Sequence, residues 1–132
     1  MTIMSSYLLD THIVIFALRT PEKLSETARG AILSGKCVLS IVAYWEVAIK
    51  SRKGAVDVGD PGIWWSRALD VLLADQLSIH ANHVKAVWSL PDLHKDPFDR
   101  ILIAQAIAED LTLISTDKAV QRYSEAGLRV IS

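Results

Sequence analysis

Short apolar runs alternate along the chain with longer stretches of mixed polarity. Tyr7-Leu8-Leu9 is apolar and stops at Asp10, the pattern of a buried strand. Residues 11–18 read as a helix start, although Ile13, Val14 and Ile15 leave a strand open, and Pro21 breaks the segment. Ser25 ahead of Glu26 begins a second helix that ends near Ser34-Gly35. Cys37-Val38-Leu39 is the next strand. Ser40 caps a helix over 41–53, and Gly54 supplies its stop.

The second half repeats the alternation. Asp60-Pro61 opens a helix through Trp64, Trp65, Leu69 and Leu72, followed by a weak strand at Leu77-Ser78-Ile79. Residues 80–88 are helical, 90–95 form a loop, and Asp96-Pro97 starts a helix running to Glu109. Residues 111–114 make a buried strand, Thr116 or Asp117 caps a short helix to Ala126, and 128–131 form the last strand. Strands alternating with helices require parallel pairing through crossovers. The expected fold is an α/β three-layer α/β/α sandwich with a central, mainly parallel sheet, in one domain over residues 1–132.

Composition narrows the class without naming a partner. The 132 residues are 51% hydrophobic and 22% charged, which excludes a disordered or low-complexity chain. Fourteen Lys and Arg against fifteen Asp and Glu leave a net charge of −1, unlike a generically basic nucleic-acid binder. A single Cys37 can form neither an internal disulfide nor a cysteine-based zinc site. Residues 1–6 lack the basic and apolar regions of a leader, and apolar runs such as 13–18 are far short of the ~20 residues that span a bilayer. The expectation is a cytoplasmic protein with no membrane partner.

In open parallel sheets ligands sit beyond the strands' carboxyl ends, where the strand order reverses. Asp10 and the Ser115-Thr116-Asp117 turn both follow strands. Each acid has a plain explanation. Asp10 and Asp117 suit helix caps, Asp96-Pro97-Phe98-Asp99 is a well-formed helix start, and Glu46 with Lys50 has the spacing of a surface ion pair. Glu46, however, sits among Ile41, Val42, Ala43, Tyr44, Trp45, Val47, Ala48 and Ile49. An ionised Glu with such neighbours is rarely left unpaired, so a polar cleft is the better address for it. Three or four carboxylates converging there would repel unless protons or a cation neutralised them. An all-oxygen donor set suits Mg²⁺ or Mn²⁺ better than zinc.

The segments Leu8-Leu9-Asp10-Thr11-His12, Ser40 through Lys50, Leu90-Pro91 with His94-Lys95-Asp96-Pro97-Phe98-Asp99-Arg100 and the following apolar helix, and Leu111 through Asp117 occur in that order. Together they resemble a PIN-domain ribonuclease, most closely a VapC-type toxin of a toxin–antitoxin pair. The resemblance implies a catalytic acidic site of Asp10, Glu46, Asp99 and Asp117 that binds Mg²⁺ or Mn²⁺ and cuts RNA to 5′-phosphate and 3′-hydroxyl ends. In this reading Asp10, Asp99 and Asp117 are ligands, direct or through water, and Glu46 is a ligand or the base. Asp96 is a further metal candidate, although its N-cap role already accounts for it, and His94 is a loop residue near the site. Lys50, Arg52, Lys53 and Arg100 are candidates for RNA phosphates against a reading as solvated charges. Thr116 either bonds a phosphate or water or merely caps, and no role attaches to Thr11 or His12. Trp64, Trp65 and Trp88 stack bases or fill core and interface.

The resemblance also implies a homodimer and a small VapB-like antitoxin covering the cleft. The four Trp in so short a chain agree with more apolar surface than one core consumes. The expected antitoxin groove lies on the early helices, residues 13–33. A haloacid-dehalogenase-like phosphatase would want a second Asp at position 12, which is His, and a phosphorelay receiver would want adjacent acids, whereas Asp10 stands alone. A non-enzymatic interaction module, in which the acids only cap helices, is the remaining alternative.

Overall fold

A computed structural model describes residues 5–132; residues 1–4, most of the segment read above for a leader, lie outside the described residues. Its five strands are β1 (Ser6–Leu9), β2 (Lys36–Ser40), β3 (Asp75–Leu77), β4 (Thr112–Ile114) and β5 (Arg129–Ile131). They form one sheet in the order β3-β2-β1-β4-β5 with every pairing parallel. The order reverses at β1, which pairs Leu8 with Val38 on one side and with Leu113 on the other. That reversal opens a crevice between the carboxyl ends of β1 and β4.

Helices cover both faces, as alternation along the strands demands. Leu9, Leu39 and Ile114 pack with α1 (Thr11–Arg19), α2 (Glu26–Ser34) and α4 (Pro61–Val71). Leu8 and Leu113 point the other way, against Leu102, Ile103 and Ala106 of α6 (Pro97–Ala108) and against Val120 and Tyr123. The helix α3 (Ile41–Arg52) serves both layers: Ala43 and Val47 join the first core and Val42 the second. The expected α/β/α sandwich is the observed one. Ser25, Ser40, Asp60 and Asp96 cap their helices, and Gly54 follows α3 at φ +75°, a backbone that favours glycine.

Two expectations need correction. The weak strand lies at Asp75–Leu77, not at 77–79. It is an edge strand, so Asp75 and Gln76 meet Lys36 and the Trp65 indole instead of a core, and their polarity hides the strand. The helix expected to reach Ala126 is α7 (Lys118–Gln121) followed by a 3₁₀ turn over Arg122–Ala126, capped by Asp117 and not Thr116. Trp64 and Trp65 are core residues, whereas Trp88, near the end of α5 (Ala81–Ser89), is 92% exposed. Among the described residues no helix is long and apolar enough to cross a membrane.

Candidate active site

The crevice at the strand reversal is a cleft of about 340 Å³ whose walls include Asp10, Glu46, Asp96, Asp99 and Asp117. Each acid is delivered by a different local rule. Asp10 ends β1 and caps α1, with Oδ1 accepting the Ile13 N–H at 3.2 Å and Oδ2 accepting the Ser115 hydroxyl at 2.6 Å. Capping and site membership are therefore the same placement. Glu46 caps nothing: it lies mid-helix on α3, 4% exposed. Its Oε1 accepts the Thr11 hydroxyl at 2.5 Å and its Oε2 meets Lys50 Nζ at 2.6 Å. The i, i+4 pair exists, but at the cleft wall and not on an open surface.

Asp99 enters on the first turn of α6 and Asp117 on the turn after β4. His94 reaches both: its Nε2 is 2.8 Å from Asp99 Oδ2 and 3.3 Å from Asp117 Oδ2. Asp96 caps α6 by accepting the Phe98 N–H, which explains its position, and it also faces the cleft.

The electrostatics follow from this crowding. Burial pushes Asp99 up to about 7, and the charges of Asp96, Asp10 and Glu46 push the same way against His94. Burial also raises Asp10 despite the Ser115 and Ile13 hydrogen bonds. For Asp117 burial acts upward too, but the Val120 and Ala119 N–H groups and His94 prevail and lower it. Lys50 is raised by its hydrogen bond to Glu46. Asp10 and Asp99, which resist ionisation, share one cleft with Asp117, an all-oxygen set that fits a hard divalent cation.

The remaining candidates separate cleanly. Lys50 and Thr116 line the cleft. Arg52 and Lys53 are exposed and do not: α3 carries them roughly 9–10 Å beyond Glu46 along its axis. Arg100 does not line the cleft either, and its half-buried guanidinium is hydrogen-bonded within the protein. It donates to the carbonyls of Val87, Pro91 and His94 and to the Tyr123 phenol. Tyr123 in turn donates to the Pro91 carbonyl at 2.7 Å and accepts the Leu93 N–H at 3.1 Å, so the two side chains clasp loop 90–95. Removing that buried hydroxyl in Tyr123→Phe should destabilise the fold by about 1–3 kcal/mol, read as a lower melting temperature (Tm).

Sequence reasoning left Thr11 and Ser115 without roles, although each adjoins an acid or its turn. Both are buried hydroxyls whose partners are acids distant in sequence, Glu46 and Asp10, and spacing alone does not pair them.

Comparison with known proteins agrees with this architecture. The PIN domain model matches residues 7–126, and the chain belongs to that family. A curated relative, Ribonuclease VapC22 of Mycobacterium tuberculosis (strain ATCC 25618 / H37Rv), is 23% identical, covering 91% of this chain and 93% of its own. Among solved structures, DNA-bound VapBC from Salmonella typhimurium superposes with a TM-score of 0.70 at 15% identity, covering 97% of this chain and 98% of that one. FitAcB from Neisseria gonorrhoeae gives 0.68 at 16% identity, with 96% of each chain covered.

Proposed function

We propose that this PIN-domain chain is a Mg²⁺- or Mn²⁺-dependent endoribonuclease and the toxin of a VapBC-type pair. The observation that carries the nuclease reading is Glu46. A capping account explains Asp10, Asp96 and Asp117, but gives no reason to bury a mid-helix carboxylate on the wall of an acidic cleft. The family membership and the VapC22 relative support the same activity.

Asp10, Asp99 and Asp117 would hold the ion, with Glu46 and Asp96 contributing negative charge beside them. When bound, a divalent cation supplies a Lewis acid for the phosphoryl oxygen and lowers the pKa of water. The chain's own part is positioning. Ser115 and the α1 N-terminus fix Asp10 at both oxygens, and the α7 N-terminus fixes Asp117. Thr11 and Lys50 hold Glu46 so that it faces the same space. Lys50 and Thr116 line the cleft and would meet a substrate phosphate.

The test is RNA cleavage by purified protein with Mn²⁺ or with chelator, in wild type and Glu46→Gln. Cleavage to 5′-phosphate ends should require metal and vanish in the variant. Equal cleavage in chelator would remove the reading. Independently of RNA, saturating Mn²⁺ at about 100 times its Kd should stabilise the fold by about 2.7 kcal/mol, a Tm rise of several degrees in a scanning experiment.

For partners, we assign the antitoxin to the groove of about 370 Å³ between α1–α2 and the end of α4, where Leu33 and Leu73 are 83% and 84% exposed. Ala17, Pro21, Leu24, Arg29, Ile32 and Leu33 come from the expected span 13–33, and residues 71–73 at the end of α4 are added to it. The homodimer face is the apolar surface with Trp45, Val84 and Trp88, beside a second cavity of about 500 Å³. A charge on this face, Trp88→Arg, should give a monomer by light scattering.

A further inference from the structure

His94 lies outside the four-acid set, and its surroundings define what it does. Its Nδ1 accepts the backbone N–H of Asp96 at 3.2 Å, so the ring proton resides on Nε2. That Nε2–H points between two carboxylates carried by different elements, the first turn of α6 and the β4–α7 turn. One ligand-type atom from each of His94, Asp99 and Asp117 lies within 4.8 Å of the others. At that separation the two acids repel unless something lies between them. Neither is otherwise fixed on that side: Asp117 uses Oδ1 to cap α7, leaving Oδ2 for the imidazole.

The imidazole is itself held. The main-chain carbonyl of His94 accepts Arg100 Nη1 at 3.3 Å, and the Arg100–Tyr123 clasp anchors the loop through Pro91 and Leu93. Ring position and proton position are both dictated by groups other than the two acids that the ring bridges.

We propose that His94 is a positioning residue of the metal centre, its Nε2–H bridging Asp99 and Asp117 and so presetting the distance at which they share an ion. The inference rests on the metal-dependent reading above and goes beyond it by giving the imidazole a donor's role and not a ligand's. A ring whose Nδ1 accepts a backbone N–H has no free Nε2 lone pair to offer a cation. Groups that orient metal-ligating carboxylates typically cost 10- to 100-fold in metal affinity when removed.

Two substitutions divide the imidazole's two contacts. Gln places an amide N–H near the position of Nε2 and keeps the bridge while losing the Asp96 contact. Asn places its oxygen near Nδ1 and keeps the Asp96 contact while losing the bridge. Calorimetric titration of chelator-stripped protein with Mn²⁺ should therefore show His94→Ala and His94→Asn weakened 10- to 100-fold. His94→Gln should stay within about threefold of wild type, and circular dichroism checks that each variant is folded.

Retention by Asn with loss in Gln would make His94 only a loop brace and overturn the proposal. Equal loss in Gln, Asn and Ala, with a Co²⁺ absorption spectrum altered in all three, would make it a ligand. Tighter binding in Ala would make it a competitor of the ion. Unchanged affinity in every variant would refute the inference while sparing the metal centre. A wild-type protein that takes up no Mn²⁺ would refute both.

Discussion

Asp10→Asn should abolish RNA cleavage, by on the order of a hundredfold or more, while leaving the metal-free protein as stable as wild type or more so. Loss on this scale follows because the effect of removing a ligand should exceed that of removing a group that merely orients one. The stability half of the result follows from the contacts. Asn keeps an oxygen for the Ile13 N–H, and Asn is as good a helix cap as Asp. Its amide can face Ser115, whose hydroxyl oxygen accepts where it formerly donated.

What disappears is one negative charge, 6% exposed, that raises the pKa of Asp99. Activity and stability thus part company. A residue needed only for folding would lose both, and a residue that only capped would keep both. Retained cleavage in Asp10→Asn, with folding intact, would remove Asp10 from the chemistry. A second readout sharpens the case: the Mn²⁺-induced rise in Tm should shrink in the variant, because the acid that closes the strand end no longer attracts the ion.

The fold was legible because the strongest signals were local. Leu8 and Leu9 point to opposite faces of the sheet, and Ser25, Ser40, Asp60 and Asp96 each cap where a cap is expected. The elements that shifted are those whose stability comes from elsewhere. β3 pairs through its backbone at the sheet edge, and the turn after α7 is held by the burial of Tyr123. Neither leaves an apolar period in the sequence.

The site was half legible for a related reason. Asp10 and Asp117 were visible because strand ends at a topological reversal are where parallel sheets bind ligands, and Glu46 because its neighbours were wrong for a surface charge. The partners of these acids were not visible. Ser115 reaches Asp10 across 105 residues and Thr11 reaches Glu46 across 35, and only the folded chain brings them together. Arg100 shows the opposite failure. Its position in the motif suggested a phosphate, but Nη1 donates to the Pro91 and His94 carbonyls of loop 90–95 and to the Tyr123 phenol, and Nη2 donates to the Val87 carbonyl of α5.

The metal-free protein should lose stability as pH rises from about 5 to 8, and Asp99→Asn should remove much of that loss. Asp99 has a folded pKa of about 7 against an ordinary 3.8, through burial first and the neighbouring acids second. At pH below 4 the group is protonated in both folded and unfolded chains and contributes nothing. Between 4 and 7 the unfolded chain gives up this proton while the folded chain retains it, so raising the pH favours unfolding. Above about 7 both states are ionised and the loss is complete. Asp10 shifts in the same direction, whereas Asp117 is lowered and its contribution fades only in acid, outside this window. The expected drop is on the order of 5 °C between pH 5 and 8 in chelator, with a smaller one in Asp99→Asn.

Saturating Mn²⁺ should reverse the trend, because a cation needs the ionised acid and competes with its proton. Apparent Mn²⁺ affinity should fall about tenfold per pH unit below 7 and level off above it, a slope that Asp99→Asn flattens. Parallel melting profiles for wild type and Asp99→Asn across this range would show that Asp99 is not the group holding the proton. Opposite responses to pH with and without the ion would instead tie the cost of crowding these acids to the affinity that crowding creates.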